Sequence, residues 1–132
     1  AYGAGPGAFT GLRIAAGAAQ GLAAARGLPV IGVSCLEALA SASGAPRVIA
    51  CIDARMDEVY CAAYVRADDG VMNEAIAPAV LPPQAVPIPA GAGWTGCGSG
   101  FAAHGGVLAA RLGVHLARVN PPLLPTAEAI LA

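Results

Sequence analysis

The residues of this chain that could do chemistry are few, and most of them stand apart from one another. The two histidines, His104 and His115, are not close in sequence to any pair of the four cysteines, so neither a zinc-type ligand set nor a Cys–His catalytic pair is indicated. No two cysteines have the CxxC spacing, and small buried thiols are the simplest interpretation. Cys51 and Cys61 face each other across a predicted hairpin, which would allow a disulfide to form. We therefore predict no metal site.

Serine and carboxylate residues offer no clearer catalytic group. Ser34 begins a capping box with Glu37, so its hydroxyl is better explained as a helix cap than as a nucleophile. Asp57 and Glu58 are adjacent on a predicted strand, where neighbouring side chains point to opposite faces, and a hairpin end explains them better than general acid–base catalysis does. We predict no catalytic residue in this chain.

A glycine-rich turn, residues 3–8, precedes the first predicted helix and could cradle a phosphate with its free amides. Its spacing does not fit GxGxxG, because Ala8 stands where the third glycine would be. All seven basic residues are arginine, so the lysine of a P-loop is missing as well. Gly5 and Gly7 stay candidates for phosphate binding, but a tight strand-to-helix turn is the simpler interpretation.

Composition excludes several classes of protein. Hydrophobic residues make up 57% of the 132 residues and charged residues 11%, which excludes intrinsic disorder. The net charge of −1 leaves no broad basic surface that could hold nucleic acid unaided. The uncharged segment between Arg13 and Arg26 is shorter than the roughly 20 apolar residues of a spanning helix, so we expect a soluble protein with no membrane partner. Four cysteines interpreted as free thiols indicate a reducing compartment, and we expect a cytoplasmic location. The chain starts at Ala1 and ends within a predicted helix, and we expect it to be a fragment of a longer protein.

Short strands alternate with helices along the chain, which predicts an α/β fold. Gly27 and Pro29 predict the end of the first helix, and Thr10 is its predicted N-cap. Five prolines between residues 77 and 92 favour a covering loop with one turn of helix. The predicted helices are Phe9–Arg26, Ser34–Ser43, Phe101–Leu112 and one starting at Ala127 after the capping residue Thr126; the predicted strands are Leu28–Val33, Arg47–Asp53, Asp57–Arg66, Val71–Ile76 and His115–Val119.

The first helix carries apolar residues on two faces, and most of them are small. Small side chains let neighbouring helices approach more closely than the usual spacing of about 8–10 Å between axes. A leucine at Ala16 or Ala19 would overpack such a contact, at a cost of about 1–3 kcal/mol. One face carries Leu12, Ala16, Ala19 and Ala23, and the other carries Ile14, Ala18 and Leu22.

Four ordered segments resemble motifs of the TsaB (YeaZ) family. Residues 5–14 (GPGAFTGLRI) are similar to the family signature GPGSFTGLRIG. Residues 19–23 and 29–34 are similar to AQGLA and PVIGVS, and residues 52–60 (IDARMDEVY) are similar to IDARMGEVY. Ala8 replaces the usual serine and Asp57 the usual glycine, so a helix cap and the type of hairpin turn are in doubt.

The resemblance implies the paired α/β domains of the actin, sugar kinase and Hsp70-like (ASKHA) superfamily, here as residues 1–44 and 45–132. It also implies a non-catalytic partner of the TsaD subunit, which transfers a threonylcarbamoyl group to N6 of the adenosine next to the anticodon in tRNAs that read codons starting with A. The ATPase TsaE would dock on that pair, tRNA would be contacted only indirectly, and family members also pair with themselves. The partner interface implied for the first helix comprises Phe9, Leu12, Arg13, Ala16, Ala19, Gln20 and Ala23.

The resemblance implies that the hairpin around Asp53 and Arg55 corresponds to the hairpin that binds phosphate in nucleotide-binding relatives. Those relatives use glycines there and this chain does not, so we expect no cofactor, although both residues stay candidates for nucleotide binding. TsaD's metal-binding histidine motif has no counterpart here. Two alternatives stay open: a small ATPase or kinase of the same superfamily, and a glycoprotease-like peptidase, which no ligand set or nucleophile–base pair supports.

Overall fold

Two separate β-sheets organise the chain, and the computed structural model describes all 132 residues. The predicted α/β class is confirmed. Short 3-10 turns occupy Pro83–Ala85 and Gly113–His115. None of the helices is both long enough and apolar enough to cross a lipid bilayer. The strands are β1 (Tyr2–Gly5), β2 (Gly32–Ser34), β3 (Arg47–Arg55), β4 (Glu58–Arg66), β5 (Met72–Leu81), β6 (Trp94–Cys97) and β7 (Leu116–Asn120); the helices are α1 (Phe9–Arg26), α2 (Cys35–Ala42), α3 (Ser99–Leu112) and α4 (Ala127–Leu131).

The smaller sheet pairs β1 with β2 in parallel, with α1 as the crossover between them. The predicted strand Leu28–Val33 is wrong in extent, because only its last two residues belong to β2, which continues to Ser34. The Leu28 amide donates instead to the Ala23 carbonyl at the end of α1, and Pro29 has no amide to donate. Leu28 and Ile31 are therefore more than half exposed, not covered as a wholly apolar strand would predict.

The larger sheet has the order β5-β4-β3-β6-β7. The strands β3, β4 and β5 form an antiparallel meander, and β6 and β7 run parallel to β3. The predicted hairpin is confirmed, with Cys51 directly opposite Cys61. Its turn places Arg55, Met56 and Asp57 at φ values of 65°, 50° and 58°, a left-handed conformation that glycine would adopt with less strain.

The third strand of this meander is longer than predicted. Val71–Ile76 was the expected range, but β5 runs from Met72 to Leu81 and contains Pro78. Proline is tolerated there because β5 is an edge strand, and the ladder between β4 and β5 shifts register near Cys61. The single turn of helix expected in the proline-rich segment is confirmed at Pro83–Ala85.

Both faces of the larger sheet are covered. The helix α3 and the proline-rich segment cover the face that carries Ile49, and α2 covers the face that carries Val48. The division into domains after residue 44 stays a prediction; α2, on the N-terminal side of that boundary, packs on the larger sheet.

The ends of the helices show which predicted caps form. Gly27, with φ of 62°, ends α1 as predicted, and the Thr126 hydroxyl accepts a hydrogen bond from the Ala129 amide at 3.2 Å. The prediction for Thr10 is wrong, since α1 begins at Phe9, as predicted, and Ala8 is its N-cap. Ser34 does stand at the N-cap of α2, but its side chain makes no capping hydrogen bond, so the capping box is also wrong.

Candidate partner interface and hairpin site

The helix α1 packs against β1 with one of its two apolar faces. On this inner face Leu12, Ala16 and Ala19 are half-buried and Ala23 is buried. The Leu12 side chain lies against the glycine turn. The chain therefore already covers much of the alanine-rich face.

The opposite face of α1 is uncovered and apolar. Ile14 is 66% exposed and Leu22 is 73% exposed. Gly17 and Gly21 lie between them on the helix, and a Cβ atom added at either position would meet nothing within 4 Å. We call Ile14, Gly17, Ala18, Gly21 and Leu22 the outer face of α1.

The structure divides the seven predicted interface residues into two groups. Phe9, Arg13 and Gln20 are exposed on the flank of α1, and the Arg13 guanidinium stacks 3.9 Å from the centre of the Phe9 ring. The other four, Leu12, Ala16, Ala19 and Ala23, belong to the inner face. The assignment of all seven to an interface stays a prediction, and the residues on the outer face were left out of it.

The two glycine candidates for phosphate binding pack against the chain itself. A Cβ added at Gly5 would lie 3.2 Å from Leu12 Cδ1, and one at Gly7 would lie 3.8 Å from Leu12 Cδ2. Gly5 also has a φ of 109°, which side chains rarely adopt. This geometry favours the structural interpretation of the turn, in which Leu12 occupies the space beside the glycines.

The other two candidates, Asp53 and Arg55, form a small polar cluster at the end of the β3–β4 hairpin. The Asp53 carboxylate accepts a hydrogen bond from the Arg55 amide at 3.1 Å and lies 3.6 Å from His104 Nε2. The Asp53 amide donates to the Ser99 hydroxyl at 3.1 Å. The Arg55 guanidinium, 88% exposed, lies 4.0 Å from the same carboxylate and could contact an anion.

His104 and Ser99 were not predicted as members of this cluster. The signal that could have found Ser99 is the sequence Gly98-Ser99-Gly100, a glycine turn between a strand and a helix. Both glycines allow a close approach, because a Cβ at Gly98 would lie 2.3 Å from the Cys51 carbonyl oxygen. His104 stands at a non-helical position within α3, at φ −129°, which no local sequence pattern indicates.

The cleft beside the glycine turn contains none of the four nucleotide-binding candidates. It has a volume of about 200 Å³ and is lined by Pro6, Leu36, Tyr60 and residues 78–80. No group of three or more histidine, cysteine, aspartate or glutamate side chains is close enough together to hold a metal ion. The Asp53 cluster contains a carboxylate, the imidazole of His104 and the hydroxyl of Ser99.

Comparison with known proteins gives a family model described as TsaD and curated relatives named TsaB. A family model described as "TsaD: tRNA N6-adenosine threonylcarbamoyltransferase" matches residues 1–93. The tRNA threonylcarbamoyladenosine biosynthesis protein TsaB of Escherichia coli (strain K12) is 52% identical over 90 residues, which are 65% of this chain and 39% of that protein. TsaB of Haemophilus influenzae is 54% identical over 70 residues, which are 50% of this chain and 30% of that protein. The matched segments thus span two fifths or less of these curated relatives.

Solved structures agree with the sequence comparison. The structure of YeaZ from Pseudomonas aeruginosa superimposes with a TM-score of 0.85 at 45% identity, over 98% of this chain and 61% of the YeaZ chain. A second Pseudomonas aeruginosa structure, described as an uncharacterized protein with similarity to peptidase YEAZ, gives a TM-score of 0.85 at 46% identity, over 98% of this chain and 60% of that chain.

Proposed function

The chain belongs to the TsaB/YeaZ family, whose fold is ASKHA-like, and on that premise we propose that it is a non-catalytic partner subunit in the synthesis of threonylcarbamoyladenosine in tRNA. In this role it binds and supports a TsaD-like subunit, which carries out the threonylcarbamoyl transfer. The names of the curated relatives support the biosynthetic role. The net charge of −1 favours a tRNA contact made through the partner.

The observation that carries the proposal is the uncovered outer face of α1. Ile14 and Leu22 are each about two-thirds exposed or more. Full burial of a side chain of this size stabilises a protein by about 1.5–3 kcal/mol, so covering both would contribute substantially to binding. A partner helix is the element that fits a narrow apolar stripe on another helix.

The glycines of α1 give a second argument for a partner. A glycine in a helix interior costs about 0.8–1.0 kcal/mol relative to alanine. Nothing in the chain lies within 4 Å of a Cβ atom built at Gly17 or Gly21, so no contact inside the chain requires a glycine there. A partner helix that approaches closely at this point would require the absence of a side chain.

Alanine variants of the two glycines should have opposite effects on the stability of the chain and on partner binding. Alanine at Gly17 and Gly21 should stabilise the isolated chain by up to about 1 kcal/mol each, because alanine favours the helix. The same variants should weaken binding of the purified TsaD-like subunit, measured by calorimetric titration. Leu22→Asp should weaken binding by at least tenfold, because an uncompensated charge would be buried.

Val114→Asp is the matched control, since Val114 is apolar and 88% exposed but lies in the 3-10 turn before β7. It should leave binding and the threonylcarbamoyladenosine content of tRNA unchanged. If Gly21→Ala and Leu22→Asp bind the TsaD-like subunit as the unmodified chain does, the outer face is not the interface. If they abolish only self-association, the occupant is a second copy and the proposed partner is wrong.

A further inference from the structure

Two buried thiols lie side by side in the larger sheet. Cys51 in β3 and Cys61 in β4 are direct register partners, and their sulfur atoms are 3.2 Å apart in an S–H···S hydrogen bond. Both are free thiols. We propose that Cys51 and Cys61 form an oxidisable dithiol, a modification site at which a hydroperoxide converts the two thiols into a cross-strand disulfide.

The backbone already has the separation that such a bond needs. Directly opposed residues of antiparallel strands have Cα atoms about 4.5–5.5 Å apart, which lies inside the disulfide range of about 4.4–6.8 Å. The sulfur atoms must close from 3.2 Å to a bond of about 2.0 Å. Rotation of the two side chains about their Cα–Cβ bonds can supply a movement of this size, so the strands can keep their register.

The sheet also selects which thiols pair. Cys51 and Cys61 both point to the face covered by α3, where they pack with Ile49 and Phe101. Cys97, the third cysteine in this sheet, packs on the opposite face with Leu36 and its neighbours. The layer of backbone therefore separates Cys97 from the pair. Cys35 lies in α2, beside Gly3 of the smaller sheet.

The chemistry needs one hydroperoxide for each pair of thiols. Both residues are buried, Cys61 at 4% exposure and Cys51 at 0%, so we assign the first attack to the less buried Cys61. The Cys61 thiol loses its proton, and the thiolate attacks one oxygen of hydrogen peroxide and breaks the O–O bond, which gives a sulfenic acid; the departing hydroxide takes up the proton that Cys61 lost and leaves as water. The Cys51 sulfur then attacks the Cys61 sulfur and displaces hydroxide, which takes up the Cys51 proton as a second water. The two sulfurs are oxidised by two electrons in total and the peroxide is reduced.

The environment of Cys51 limits the rate at which its sulfur attacks the Cys61 sulfenic acid. The hydrogen bond with Cys61 and burial raise the pKa of the Cys51 thiol well above its ordinary value. The thiolate is the reactive form, so the disulfide should form slowly and with a rate that increases with pH.

The bond would form next to the polar cluster of the hairpin. Gly98 and Gly100 pack directly on Cys51, since a Cβ at Gly100 would lie 2.8 Å from Cys51 Cβ. The disulfide would tie β3 to β4 two residues before Asp53, beside the turn that carries Ser99. Oxidation therefore places a covalent constraint at the base of that cluster.

Peptide mapping tests the proposal on the full chain. The folded protein is treated with hydrogen peroxide, the peroxide is removed, the chain is unfolded in urea while the remaining thiols are blocked with iodoacetamide, and it is then digested with trypsin. Cleavage after Arg47, Arg55 and Arg66 places the two cysteines in separate peptides, residues 48–55 and 56–66. The expected product is these two peptides joined to each other, and the link should disappear on reduction with dithiothreitol.

The control variant Cys97→Ala should give the same linked pair, whereas Cys51→Ala and Cys61→Ala should lose it. Circular dichroism establishes that each variant is folded, and the result on the unmodified chain does not depend on any variant. Two alkylated or singly oxidised peptides in place of the linked pair would overturn the proposal. So would a link from Cys51 to residues 67–111, the peptide that contains Cys97.

Discussion

Replacement of Gly98 by alanine should destabilise the chain more than any other single methyl group added at a glycine. A Cβ at this position would lie 2.3 Å from the Cys51 carbonyl oxygen and 2.6 Å from Leu39 Cδ2. The carbonyl belongs to the paired strand β3, so it cannot move without distorting the sheet. Gly98 also has a φ of 103°, which alanine adopts only with strain.

The magnitude follows from these two terms. An overpacked core costs typically about 1–3 kcal/mol, and a strained backbone conformation costs about 1–3 kcal/mol more. We therefore expect Gly98→Ala to lower the free energy of unfolding by about 2–6 kcal/mol, a large part of the stability of a small domain.

Urea unfolding measures this effect, with the fluorescence of Trp94 as the probe. Trp94 is the one tryptophan and is 2% exposed, so its emission reports loss of the core around α3. Gly106→Ala is the matched control: it adds the same methyl group in α3 where nothing lies within 4 Å, and should stabilise the chain by up to about 1 kcal/mol. If the free energy of unfolding of Gly98→Ala lies within about 1 kcal/mol of that of the unmodified chain, the turn between β6 and α3 does not pack on Cys51 as described.

Three further results are expected. The Tyr64 hydroxyl is buried without a hydrogen-bond partner, so Tyr64→Phe should leave the free energy of unfolding near pH 7 unchanged or raise it by about 1 kcal/mol in urea unfolding. A loss above about 2 kcal/mol, roughly the cost of a broken buried hydrogen bond, would show that the hydroxyl does have a partner. Burial raises the pKa of Tyr64 and of the Cys97 thiol to about 12 each, from 10.0 and 9.0, so the folded chain holds these protons more tightly than the unfolded chain. Stability from these groups is therefore complete below pH 9 and should fall between pH 9 and 12, and Tyr64→Phe should fall less steeply over the upper part of that range. Calorimetric titration with Mg-ATP should give no binding heat, because Leu12 packs against the glycine turn and the Asp53 carboxylate is already hydrogen-bonded; saturable binding that is lost in Asp53→Asn would favour the nucleotide-binding alternative.

Local signals predicted much of the fold. The end of α1 followed from Gly27, whose left-handed conformation stops a helix whatever the tertiary surroundings. The opposition of Cys51 and Cys61 followed from strand alternation across a short turn. The strand β5 was predicted too short. Proline is excluded from central strands but tolerated in edge strands, and sequence alone did not show that β5 lies at the edge of the sheet.

The candidate site was predicted only in part. Sequence placed Asp53 and Arg55 at the hairpin, but His104 and Ser99 come from α3 and meet Asp53 only after β6 pairs with β3. Asp53 is more than 40 positions from Ser99 and His104 in the sequence. No local sequence pattern therefore indicates that these residues come together when β6 pairs with β3.

The amino-acid sequence by itself determined the helix α1, its two apolar faces, the cysteine hairpin and the family motifs, because each depends on residues only a few positions apart. Tertiary structure decided which face of α1 is covered. Both faces are apolar, and the choice depends on the position of β1, which packs on the face of Leu12 and Ala23 and leaves Ile14 and Leu22 exposed. A sequence pattern records that a face can be buried, whereas the neighbour that buries it is set by the topology of the chain.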